Sequence, residues 1–175
     1  MKIKKFLYKK VNNTNDLAIK IIKRGYNSGI IIAEEQKKGR GQYGRKWLSF
    51  KGNLFLSVFF KINKKKSLNQ IIQFNRNIIK KVLSSLFKIN ISIKLPNDLL
   101  IGKKKICGIL QETIEKNNIK YLIVGIGVNL IRSPKISSYP TTNLYELTEK
   151  KICINKIIKD LKYIYRVFLK SQRVH

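Results

Sequence analysis

From Ile91 to Leu130 the chain reads as a succession of short apolar, β-branched runs separated by tight turns, and this pattern narrows the fold more than any other feature. The runs are ISIKL, DLLIG, KKKICGILQETIE and IKYLIVGIGVNL, broken by Pro96-Asn97-Asp98 and Lys116-Asn117-Asn118. Strands joined by so few residues return alongside one another, which predicts an antiparallel meander.

The first half mixes the two periods. Ile3 to Val11 alternates apolar and basic residues and predicts a half-buried strand; Asn13-Thr14-Asn15-Asp16 then offers N-caps for a helix through Leu17, Ile21 and Ile22 that ends at Gly25. Gly29 to Glu34 predicts a buried strand, and Gln36 to Gly52, without periodicity, a long loop. Asn53 to Ile62 is aromatic and β-branched enough for a strand, whereas Leu68 to Phe87 carries apolar residues at helical spacing. Ser133 to Pro140 is irregular, and Ile157, Ile158, Leu161, Ile164, Tyr165, Phe168 and Leu169 line one face of a final helix. The expected fold is α+β: a mixed or mostly antiparallel sheet with flanking helices, as one domain over residues 1–175.

Composition limits the function classes. A content of 43% hydrophobic residues over 175 positions supports a real core and excludes disorder. Lys+Arg 38 against Asp+Glu 9 gives a formal charge of +29, the balance of a protein that meets nucleic acid or an anionic membrane. The chain also holds 31 lysines, 29 isoleucines and 16 asparagines but only two alanines, Ala18 and Ala33. The lysines are scattered, so most of the charge is attributed to A/T-rich coding rather than to a polyanion surface. Cys107 and Cys153 stand apart, without a second CxxC or a histidine partner, and the sole histidine is the terminal His175. No fixed metal site is expected. No apolar stretch approaches 18 residues and the N-terminus lacks a signal-peptide core, so a cytoplasmic protein with reduced thiols is expected.

Four constellations carry chemistry. Gly39-Arg40-Gly41-Gln42-Tyr43-Gly44-Arg45-Lys46-Trp47 combines three glycines with basic residues, as an anion-binding loop would. It matches neither GxxxxGK[ST] nor a helix-opening GxGxxG, and a mobile basic loop is its plainer reading. Lys94-Leu95-Pro96-Asn97-Asp98 sets a lysine and a carboxylate at a proline turn, which by spacing alone is turn chemistry. Lys103-Lys104-Lys105 enters a strand interrupted by Gly108, leaving Lys105 over the gap. Gly125-Ile126-Gly127-Val128-Asn129 places two glycines in a strand, taken singly a bulge.

Taken together and in order, AEEQKKGRGQYGRKW, KLPNDLLIGKKKICGIL and VGIGVNL resemble the catalytic domain of biotin protein ligases. The resemblance runs from about Asn13 to the final helix and implies a fold related to class II aminoacyl-tRNA synthetases. It implies ATP-dependent activation of biotin as biotinyl-5'-AMP, then transfer to a lysine of a biotin carboxyl carrier protein such as that of acetyl-CoA carboxylase, with Mg²⁺ accompanying ATP. Carried over by position, Asn13, Thr14, Asn15 and Gln36 contact the biotin head group, with Gly41, Gln42 and Gly108 beside it. Arg40 and Arg45 offer charge to phosphate, and Trp47, Lys94, Asn97 and Asn129 lie near the nucleotide. Lys105 holds the biotin carboxylate and the α-phosphate together, and Asp98 orients the incoming lysine or the metal.

The sequence departs from the family pattern at Gln42, where arginine is usual, at Leu95, where tryptophan is usual, and at Asn13, where serine is usual. Loss of the loop charge at Gln42 is expected to loosen retention of the adenylate. Neither an N-terminal DNA-binding domain nor the family's small C-terminal β domain is expected, so neither a repressor role nor DNA as a partner is. The competing readings are a lipoate or octanoate ligase or transferase of similar fold, a basic nucleic-acid-binding module using Tyr43 and Trp47, and an enzyme in decay.

Overall fold

The computed structural model describes residues 3–62, 67–137, 139–149 and 152–171; His175 lies outside them. The elements run β1 (Lys4–Val11), α1 (Thr14–Lys23), β2 (Ser28–Gln36), β3 (Leu54–Lys61), α2 (Leu68–Phe87), β4 (Ser92–Lys94), β5 (Asp98–Ile101), β6 (Lys104–Lys116), β7 (Ile119–Val128), α3 (Leu144–Thr148) and α4 (Ile154–Ser171). The seven strands form one sheet in the order β1-β2-β3-β7-β6-β5-β4. Only β1 and β2 are parallel, joined by the crossover through α1; β4 to β7 form the expected meander.

Alternation along the three central strands sorts side chains to the two faces. Ile30, Ile32, Leu54, Leu56, Val58, Phe60, Leu122, Val124, Ile126 and Val128 face α2 and α4 in the larger core. Ile31, Phe59, Tyr121 and Ile123 face the other way, against Ala18, Ile21 and Ile22 of α1. Opposite β3, β7 then continues as Gly125 and Gly127, and the layer thins from packed core to open cavity. The site is therefore the unfilled end of the α1 face of the sheet.

One expectation is corrected and one element is added. β1 is largely exposed rather than half-buried, with Leu7 63% accessible, because it is an edge strand with a single neighbour. Helix α3 was not anticipated; Asn143 caps it, its Oδ1 accepting from the Glu146 amide at 2.8 Å, and the Asn-x-x-Glu spacing is the signal that marks it. No helix among the described residues is long and apolar enough to cross a membrane.

Candidate active site

Helix α1 starts in the cavity wall. The Asn13 side chain accepts from the Asp16 amide at 2.7 Å, closing the N-cap, and Asp16 in the first turn suits the positive end of the helix dipole. This cap keeps Asn13, Thr14 and Asn15 buried yet facing the cavity. Gln36 ties the end of β2 to the same spot: its Oε1 accepts from the Thr14 amide at 2.9 Å, and its Nε2 donates to Ser49 Oγ at 3.2 Å. Ser57 Oγ sits behind them, 2.7 Å from Thr14 Oγ1 and 2.6 Å from Asn15 Oδ1.

The glycine- and arginine-rich segment folds as a small flap rather than a shapeless loop. Arg40 and Lys46 bridge antiparallel, the Gly41 amide donates to Arg45 O at 2.7 Å, and a single 3₁₀ turn, Gln42–Gly44, forms the tip. Tyr43 and Gly44 both have positive φ there, which glycine tolerates at position 44 without cost. At the flap's base the Trp47 amide donates to Gly39 O at 2.9 Å, and a Cβ on Gly39 would meet Trp47 O at 2.4 Å. Trp47 is thereby turned onto the sheet, its ring covering Gly108 and Gly127, which are register partners on β6 and β7. The gap at Gly108 is thus roofed by Trp47, and Lys105 stands beside that roof, its Nζ 5.4 Å from the indole. The indole Nε1 is buried and without a partner among the described residues, a donor left for a ligand.

Lys105 Nζ is the focus of charge. It pairs with Asp98 Oδ1 at 2.8 Å, lies 3.4 Å from the Tyr139 hydroxyl and 5.2 Å from the Tyr139 ring, and is only 11% exposed. Its backbone is pinned by the Pro140 carbonyl and the Thr142 amide. An ammonium between two aromatic faces and one carboxylate is ready to receive a further anion.

Arg40 is committed elsewhere. Its guanidinium forks onto Glu112, with both bonds at 3.0 Å, and also reaches Asp16 Oδ1 at 2.8 Å. Burial works against its charge, but the hydrogen bonds and fields of Glu112 and Asp16 outweigh that and raise its pKa above the usual arginine value.

Among the residues singled out in the sequence, Asn13, Thr14, Asn15, Gln36, Arg40, Gly41, Gln42, Arg45, Trp47, Lys94, Asn97, Asp98, Lys105 and Gly108 all line one cavity of about 290 Å³. Asn129 does not: it is buried behind the wall, its Nδ2 donating to the Thr142 carbonyl at 3.2 Å. Asp98, read as a partner for substrate or metal, has Lys105 as its partner here. Glu112, Ser57 and Tyr139 were not anticipated, because they are ordinary polar residues of strands or an irregular segment and only non-local contacts reveal them; Asp16 was read only as an N-cap candidate.

The model of the Biotin/lipoate A/B protein ligase family matches residues 7–129, most of the chain. The bifunctional ligase/repressor BirA of Escherichia coli is 32% identical over 126 residues, covering 69% of this chain and 38% of that protein. The chain thus spans well under half the length of that curated relative. Among solved structures, the biotin protein ligase of Aquifex aeolicus in complex with biotin and ATP has a TM-score of 0.77 and 30% identity, covering 96% of this chain and 71% of that one. The biotin protein ligase of Leishmania major in complex with biotinyl-5-AMP has a TM-score of 0.78 and 25% identity, covering 92% and 74%.

Proposed function

We propose that this chain, which belongs to the biotin/lipoate A/B protein ligase family, activates biotin with ATP and transfers it to a carrier-protein lysine. The observation that carries the reading is the position of Lys105 Nζ: a sheltered ammonium at one end of a glycine-floored cavity whose other end presents Asn13, Thr14, Asn15 and Gln36. A ureido ring both donates and accepts hydrogen bonds, which suits that polar end, and a carboxylate suits the ammonium.

In the first step a biotin carboxylate oxygen attacks the α-phosphorus of MgATP, a carboxyl–phosphate bond forms, and the bond to the β-phosphate breaks with release of pyrophosphate. Two anions must meet, and Lys105 supplies fixed positive charge for that meeting, with Arg45, Lys46 and Lys94 in the cavity lining as further cations for the phosphates. In the second step the amine of the carrier lysine attacks the acyl carbonyl and AMP leaves. No enzyme nucleophile is needed in either step. Mg²⁺ arrives with ATP; among the described residues no cluster of three acidic, cysteine or histidine side chains offers it a site. The carrier is a biotin carboxyl carrier domain, met in the cytoplasm.

The test is acid-dependent exchange of pyrophosphate into ATP, which isolates the first step. Exchange with biotin is expected. Exchange with lipoate alone would transfer the assignment to the lipoate branch of the same family, and exchange with neither acid would overturn the ligase reading.

A further inference from the structure

We infer that Glu112 is a positioning residue for the head-group end of the cavity, where Asn13 and Asn15 lie, and that Arg40 is its counter-charge, a strut rather than a phosphate ligand. The inference rests on the function proposed above and deepens it. Glu112 lies on the cavity face of β6, and its Oε2 accepts from Asn15 Nδ2 at 2.6 Å. The amide of Asn15 is thereby fixed at both ends, since its Oδ1 faces Ser57 Oγ at 2.6 Å and its Nδ2 also reaches the Leu110 carbonyl at 3.3 Å.

The same carboxylate takes the Arg40 fork, and Arg40 in turn holds Asp16, whose Oδ2 accepts from Asn13 Nδ2 at 2.5 Å. One flap arginine therefore orders Asn13 and Asn15 through two carboxylates. The arrangement also ties the flap to α1 and β6.

Charge decides what Arg40 does. One guanidinium between two carboxylates leaves the cluster with a net negative charge, which repels an incoming phosphate, and three charge-assisted hydrogen bonds already engage both terminal nitrogens of Arg40. Arg45 is exposed, lines the cavity and makes no ion pair with the described residues. It is the flap arginine left to meet a phosphate.

The experiment is pyrophosphate exchange on the full chain with biotin and ATP varied in turn, for wild type, Glu112→Gln, Asp16→Asn and Arg45→Gln, together with hydrogen exchange of the flap amides over residues 37–47. Glu112→Gln sets an amide donor against donors and is expected to raise the biotin KM about tenfold or more while changing the ATP KM about twofold at most. The flap amides of this variant should exchange faster in the absence of substrate. Asp16→Asn, at a half-exposed side chain, should shift both readouts in the same direction and less. Arg45→Gln should raise the ATP KM and leave the biotin KM near wild type.

A Glu112→Gln variant with a raised ATP KM and an unmoved biotin KM, or with unchanged flap protection, overturns the inference. If wild type uses lipoate and not biotin, the substrate reading alone fails and the lipoate KM becomes the readout. If wild type uses neither, the ligase reading fails and flap protection decides the strut by itself.

Discussion

A Cβ placed on Gly127 would lie 2.5 Å from the Trp47 ring, and one on Gly108, its partner across the strands, would lie 2.6 Å from it. The indole thus rests directly on backbone, and a single added methyl cannot be accommodated without moving it. The cavity owes its depth to these absent side chains.

Gly127→Ala is accordingly expected to displace the indole and to destabilise the fold by about 1–3 kcal/mol, the usual cost of overpacking. Trp47 is the only tryptophan, so its fluorescence reports this place alone. Emission should shift to the red in the variant, and biotin with ATP should perturb emission in wild type but much less in Gly127→Ala. Unchanged emission and melting temperature would contradict the packing described.

Lys105→Ala removes the cation to which the proposed mechanism brings both substrates. A loss of about 2.7–4 kcal/mol of transition-state stabilisation is expected, a fall of about 10²–10³ in the pyrophosphate exchange rate. Lys105→Arg should also be poor, because a planar fork does not fit the space between Trp47, Tyr139 and Asp98 that the compact ammonium fills. Near-normal exchange in the alanine variant would remove Lys105 from the site.

Tyr139→Phe separates the two contacts that Tyr139 makes with Lys105. The ring contact survives and the hydroxyl contact at 3.4 Å is lost, so exchange should fall modestly, by about twofold to tenfold, whereas Tyr139→Ala should fall further. Equal rates for the two variants would show that the ring contributes nothing.

The two thiols should differ sharply in reactivity. Burial raises the pKa of Cys107 far above that of an ordinary thiol, while Cys153 is exposed. Titration with a thiol reagent at pH 8 should modify Cys153 quickly and Cys107 only after denaturant is added.

The formal charge of +29 gives a salt test of the carrier step. If the basic surface steers an acidic carrier, biotinylation at subsaturating carrier should slow as salt rises, mainly through the association rate. A flat response would assign the charge to coding bias.

Much of this was legible in the residues themselves. Strand, helix and turn follow from local period and turn chemistry, so the meander from Ile91 to Leu130 and the helix from Leu68 to Phe87 needed no tertiary information. The N-cap candidates from Asn13 to Asp16 and the cluster of glycines and basic residues from Gly39 to Trp47 were equally local, but the loop's folding into a flap was not, and the site roles came from the resemblance of the ordered motifs. Where β1 was misjudged, the alternation was real, but whether a strand's second face is covered depends on its place in the sheet order.

The chain by itself determined which chemistry is available: an ammonium, two flap arginines, amide side chains and glycines, each at a spacing that survives folding. Only the tertiary structure decided how they are shared. Glu112 finds Arg40 across 72 positions and Lys105 finds Tyr139 across 34, and neither pair leaves a local trace. The reason is register: Gly108 faces Gly127 on the cavity side because β6 and β7 pair as they do, and a slip of one residue in β6 would turn Glu112 and Gly108 away from that face.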